Sequence, residues 1–98
     1  MNQYAVVAHD YTDDEALDRR LSRREAHLEG IRQLADQGRF LSGGAILDDA
    51  GRMVGSSVHV QFPDRRELDD WLAAEPYVTG KVWERIEIRE VKFFDPSA

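Results

Sequence analysis

Met53-Val54-Gly55-Ser56-Ser57-Val58-His59-Val60-Gln61-Phe62 alternates without a break. Val54, Ser56, Val58, Val60 and Phe62 fall on one side of a strand, and Gly55, Ser57, His59 and Gln61 on the other. One side is apolar enough to face a core and the other is polar, as in a sheet covered on one face only. Pro63-Asp64 ends the strand and opens a helix over Arg65–Ala74, with Leu68, Trp71 and Leu72 facing inward. Pro76 puts Glu75 at a helix boundary. Tyr77–Lys81 reads as a turn or helical fragment, and Val82–Phe94 as a last strand. That strand carries Ile86 and Ile88 on one face and Arg85, Glu87 and Arg89 on the other.

Working back toward the N-terminus, Asp48–Arg52 is a turn cluster and Phe40–Leu47 a strand with Gly43-Gly44 at its middle. Glycine weakens a strand interior, which points to a bulge or to close approach by another group. Before it, Leu17, Leu21, Leu28, Ile31 and Ala35 recur at helical spacing, so a helix is expected from about Asp14 to Gln37. Ser22 and Glu25 match a capping box, which would start a second helix there. Thr12 or Asp13 is placed to cap the helix start, and Gly38 its end. Tyr4–Ala8 is a first strand, and His9–Asp14 a turn. The order is βαββαβ. This predicts an α+β, ferredoxin-like domain spanning residues 1–98, a four-stranded antiparallel sheet with both helices on one face. The open face, with His59, Gln61, Arg85 and Arg89, is too polar for a core but is suited to pairing with a second copy.

Composition narrows the function. The chain has 98 residues, 42% hydrophobic and 33% charged, as in an ordinary folded domain. A net charge of -6 argues against nucleic acid or an anionic membrane as partner. The basic residues Arg19, Arg20, Arg23 and Arg24 are interleaved with acidic ones and read as a solvated helix face. No apolar run is long enough to span a bilayer, and the N-terminus lacks the pattern of a signal peptide. With no cysteine, disulfides and thiolate chemistry are excluded, and a cytoplasmic location is expected. His9, His27 and His59 lack metal-ligand spacing, and no phosphate-binding loop or nucleophile elbow is present. Neither metal nor cofactor is expected.

His27 stands out. At about 100° per residue it lies roughly 75° from the centre of the apolar stripe, a boundary position able to reach a cleft. Histidine is the natural proton carrier near neutral pH.

These residues are similar in order and spacing to the YciI-like (YCII-related) family of the dimeric α+β barrel group. The similarity is carried by Ala8-His9-Asp10, Arg20-Leu21-Ser22, His27-Leu28, Gly38-Arg39, Ser42-Gly43-Gly44, Gly55-Ser56, Trp71 and Pro76-Tyr77. It implies a ferredoxin-like domain that dimerises through its sheets and uses a histidine and a carboxylate in a cleft. The histidine corresponds to His27. The family's aspartate before Pro-Tyr is replaced here by Glu75, one methylene longer, and Asp10 is a second candidate for the carboxylate. A His–carboxylate pair would fix the imidazole tautomer and stabilise its cation. His27 would then move a proton at a carbon beside a carbonyl or phenolic oxygen. Gly43 and Gly44 would admit a small substrate and turn their amides toward an oxyanion. Ser42 and Tyr77 would donate hydrogen bonds, and Arg24 would hold an acidic group. The resemblance thus implies a cofactor-free lyase or isomerase acting on a small oxygenated or aromatic substrate. The alternatives are a non-catalytic dimeric small-molecule-binding or stress-related module, and a cofactor-free oxygenase.

Overall fold

The structure, a computed structural model, describes residues 1–97. The strands are β1 (Asn2–Asp10), β2 (Phe40–Leu47), β3 (Met53–Phe62) and β4 (Trp83–Val91). The helices are α1 (Ala16–Asp36), α2 (Arg65–Ala74) and the single turn α3 (Pro76–Thr79). All strand pairs are antiparallel, in the order β2-β3-β1-β4. This is the ferredoxin-like arrangement expected from the element order.

Alternation sorts the two faces. Tyr4, Val6 and Ala8 of β1 and Val58, Val60 and Phe62 of β3 are buried beneath the helices. Leu34 of α1, Leu68 and Leu72 of α2 and Tyr77 of α3 close the same core. The opposite face holds Ala5, Val7, His9, Ser57, His59 and Gln61, all half-buried. His9 extends β1 rather than starting a turn, because it still pairs with Gly55 and Arg85.

Three local expectations need correction. First, α1 runs unbroken through Ser22: its hydroxyl donates back to the Arg19 carbonyl at 2.8 Å instead of capping a new helix. Second, the inner face of α1 is not centred on the leucines. Its buried residues are Ala16, Arg20, His27 and Leu34, while Leu21 is 51% exposed and Ala35 is exposed. His27 is therefore central to the buried face and not at its margin. Third, of the two readings for Gly43-Gly44 the bulge fails, since the register shifts in β2 lie between Phe40 and Ser42 and between Ile46 and Leu47, while close approach holds, the Ser57 carbonyl standing 2.9 Å from where a Gly43 Cβ would be.

The end of α1 follows the sequence. Gly38 adopts φ 74°, its N–H donates to Ala35, and the Arg39 N–H donates to Leu34 at 2.8 Å. This is a Schellman ending, whose left-handed residue is cheapest as glycine. The start does not: the N-cap is Glu15 with no side-chain cap, in place of Thr12 or Asp13, and the Asp13 carboxylate instead accepts from the Glu15 N–H at 3.3 Å and holds Arg19 by two bonds of 2.8 Å. For α2, the Asp64 side chain caps Glu67 N–H at 2.9 Å.

Candidate functional site

Two polar residues lie at the centre of the buried face of α1, and each meets a buried carboxylate. His27 Nδ1 is 2.7 Å from Glu75 Oε1. The same oxygen accepts the Tyr77 N–H at 3.0 Å and so caps α3. Pro76 makes this possible: the proline turns the chain after α2 and leaves Glu75 in extended conformation, with its side chain folded over the new helix start. The Glu75 side chain thereby reaches both the cap and the imidazole.

A carboxylate only accepts, so Nδ1 carries the hydrogen and the lone pair is left on Nε2. The imidazole lies face to face with the Tyr77 ring at 4.0 Å and edge-on to Trp83 at 5.9 Å. Burial pushes the Tyr77 phenol above its ordinary value, against the pull of Arg20 and Arg24. The phenol is thus a proton donor at neutral pH, and its oxygen makes no hydrogen bond among the described residues.

The second pair is Arg20 with Asp10, two bonds of 2.9 Å between side chains only 3% and 5% exposed. Arg20 also donates to Ser56 Oγ at 2.8 Å and covers the Tyr77 ring at 4.7 Å. Trp83 Nε1 donates to the same Ser56 oxygen at 3.1 Å. Burial raises the Asp10 carboxyl above its ordinary value, with Arg20 pulling the other way. Of the two carboxylates considered for His27, the one bonded to it is Glu75. Asp10 is engaged by Arg20.

A cleft of about 140 Å³ opens between α1 and the β2–β3 edge, lined by His27, Leu28, Ile31, Phe40, Gly43, Gly44, Ser56 and Val58. A Cβ on Gly43 would stand 2.9 Å from the Ser57 carbonyl and 3.3 Å from the Phe40 ring, so glycine keeps this wall thin. The amides of Gly43 and Gly44 belong to a strand and lie in the plane of the sheet, not above it. What these residues give the cleft is room, not the oxyanion contact expected of them.

The other sequence candidates fall elsewhere. Ser42 is on the far side of the sheet, its Oγ 3.0 Å from His59 Nδ1, away from His27. Arg24 is exposed and makes no ion pair among the described residues. Tyr77 packs on His27 but does not line the cleft. His9 and His59 sit on the open face and His27 beneath the helices, so the three histidines do not converge.

Arg20, Ser56 and Trp83 were not picked out from the sequence as site residues, although Arg20 and Ser56 stand in stretches that carry the family resemblance. Two signals were available. Arg20 precedes His27 by seven residues and so shares its helix face. Ser56 is the one polar residue on the inward side of β3.

Comparison with known proteins gives a consistent picture. The family described as the YCII-related domain matches residues 3–92. Protein YciI of Escherichia coli is 34% identical over 95 residues, covering 91% of this chain and 95% of that protein. An uncharacterized protein of Haemophilus influenzae is 34% identical over 96 residues, with 91% and 95% covered. Among solved structures, the 5-chloro-2-hydroxyhydroquinone dehydrochlorinase TftG of Burkholderia phenoliruptrix, in complex with 2,5-dihydroxybenzoquinone, superposes with TM-score 0.79 at 18% identity, covering 92% of this chain and 93% of that one. A dimeric ferredoxin-like protein from Jannaschia gives TM-score 0.53 at 14% identity, with 95% and 100% covered. At these identities the two structures share the fold.

Proposed function

The chain belongs to the YCII-related family, and on that premise we propose that it is a small acid–base enzyme of lyase or isomerase type, with His27 as the proton carrier. The observation that carries the reading is the 2.7 Å contact between His27 Nδ1 and the buried Glu75. It leaves Nε2 as a base on a residue that lines a cleft with otherwise mostly apolar walls. A charged partner out of water stabilises the imidazolium formed when the base takes a proton.

The chemistry balances without a cofactor. Nε2 removes a proton from a carbon beside a carbonyl, and the electron pair moves onto the carbonyl oxygen as an enolate. Where a carbon–carbon double bond is conjugated with the enolate, the imidazolium returns its proton to the far carbon of that system, which is isomerisation. Where the carbon next to the deprotonated one carries a halide, the enolate collapses with a new double bond as the halide leaves, and the imidazolium gives its proton to water, which is elimination. The related fold of TftG, described as a dehydrochlorinase of a hydroxylated aromatic, supports testing small hydroxylated rings first. We place the activity in a cytoplasmic homodimer paired through the open sheet face, in keeping with the dimeric Jannaschia relative of the fold.

The test is solvent deuterium exchange and product formation, followed by proton NMR, over a panel of chlorinated hydroquinones, hydroxyquinones and small lactones. Wild type is expected to act on at least one compound, and His27→Gln to lose the reaction while remaining folded. A fully active His27→Gln protein would refute the assignment.

A second reading has its own support. Glu75 Oε1 also caps α3, a structural task that accounts for a buried carboxylate before Pro76. A ligand-binding module would saturate with a compound of the panel, raise the melting temperature, and show neither exchange nor product.

A further inference from the structure

Ser56 is 2% exposed, and its oxygen accepts two hydrogen bonds, from Arg20 Nη2 at 2.8 Å and Trp83 Nε1 at 3.1 Å. A guanidinium and an indole can only donate. A hydroxyl has two lone pairs and one hydrogen, so both lone pairs of Ser56 are taken and its hydrogen is left to give. Among the described residues no acceptor receives it. Ser56 also lines the cleft that His27 lines.

We propose that Ser56 is the oxygen-recognising group of this cleft, its hydroxyl donating to a phenolate or enolate oxygen on a small ring whose proton His27 moves. The proposal rests on the acid–base reading for the role of His27, and on the hydrogen-bond geometry alone for the role of Ser56. Three features select this ligand. Ser56 can no longer accept a bond, so the ligand atom facing it must be an acceptor. The Arg20 cation behind Ser56 polarises the hydroxyl, which strengthens donation to a negatively charged oxygen. The walls are Leu28, Ile31, Phe40 and Val58, with Gly43 leaving space, in a volume of about 140 Å³. A dry cavity of about this size takes up benzene.

Binding of 4-fluorophenol and of fluorobenzene, read by fluorine NMR, tests it. Ser56→Ala also strands the Arg20 and Trp83 donors, so the first comparison uses wild-type protein alone. Wild type is expected to prefer the neutral phenol by up to about tenfold, the worth of one hydrogen bond between neutral groups. Its affinity should rise as the probe ionises. Equal affinities, no saturable binding of the phenol, or affinity that falls on ionisation would each overturn the proposal. In Ser56→Ala the preference should drop to about unity, and Ser56→Thr, which keeps the hydroxyl, should restore it. A preference unchanged in a folded Ser56→Ala protein would assign the donor elsewhere and overturn it too. Probe binding requires no turnover. A Ser56-dependent preference with no reaction on any compound therefore sinks the enzyme reading and leaves the recognition role standing. His27-dependent turnover without the preference does the reverse.

Discussion

Replacing Glu75 tests the centre of the site directly. Its carboxylate holds His27 and caps α3 through one oxygen, with a side chain 1% exposed. Glu75→Ala removes a charge-assisted bond worth about 1.5–3 kcal/mol. It also removes a helix cap worth about 0.5–2 kcal/mol. The total loss is about 2–5 kcal/mol, which in a domain of this size lowers the melting temperature by at least about 10 °C. Glu75→Gln keeps an amide oxygen for both contacts and loses only the charge, so about 1 kcal/mol is expected. Urea unfolding followed by circular dichroism and by the fluorescence of Trp71 and Trp83 gives both values. A cycle with His27→Ala then isolates the pair, with a coupling of about 1–2 kcal/mol expected between contacting residues. The reasoning fails if Glu75→Ala unfolds within about 1 kcal/mol of wild type, if Glu75→Gln is as costly as Glu75→Ala, or if the cycle shows no coupling.

Arg20→Met strands the Asp10 carboxylate in the core and should cost about 3–5 kcal/mol in urea unfolding, most of it recovered when Asp10→Leu is added. No recovery would mean that the two charges do not act as a pair. At the exposed N-terminus of α1, the bond from Arg19 lowers the Asp13 carboxyl to about 2 from 3.8. Because the folded value lies below the unfolded one, the contribution of this bridge is complete above about pH 3.8 and is lost as pH falls through about 2. Carbon NMR of the Asp13 carboxyl should show that midpoint in wild type and a return toward 3.8 in Arg19→Gln; an Asp13 midpoint near 3.8 in wild type refutes it. On the open face, Val7→Glu puts a second negative charge opposite Glu87 and should convert a sedimenting dimer to monomer, whereas a monomeric wild type at micromolar concentration would refute pairing through this face.

Much of the fold was legible because it depends on local periodicity. The inward series Val58, Val60 and Phe62, the stop at Pro63 and the cap at Asp64 fix β3 and α2 from neighbours in sequence. Gly38 marks the end of α1 for the same reason, since its left-handed φ is a property of one residue. His27 was also legible as a candidate from its chemistry, though not from the helical position assigned to it, and Glu75 through the family resemblance at the place before Pro76-Tyr77.

What the sequence could not decide were pairings across long separations. His27 and Glu75 stand 48 residues apart, and Arg20 and Ser56 36 apart. A helical count weighted by hydrophobicity centred α1 on its leucines and set Arg20 aside as a surface charge. Burying an arginine is costly unless its partners are in place, and those partners, Asp10 and Ser56, arrive from β1 and β3 only when the sheet forms beneath the helix. By the same logic Ser42, two positions from Phe40 and one from Gly43, lies on the wrong face for the cleft once β2 shifts register. The sequence by itself determined the elements, their order and the side chains capable of proton transfer, because these are set by short-range backbone and side-chain preferences. Only the tertiary structure decided that Glu75 and not Asp10 holds His27, and that Ser56 meets Arg20 and Trp83 beside the same cleft, because hydrogen-bond partners are chosen by geometry across the sheet.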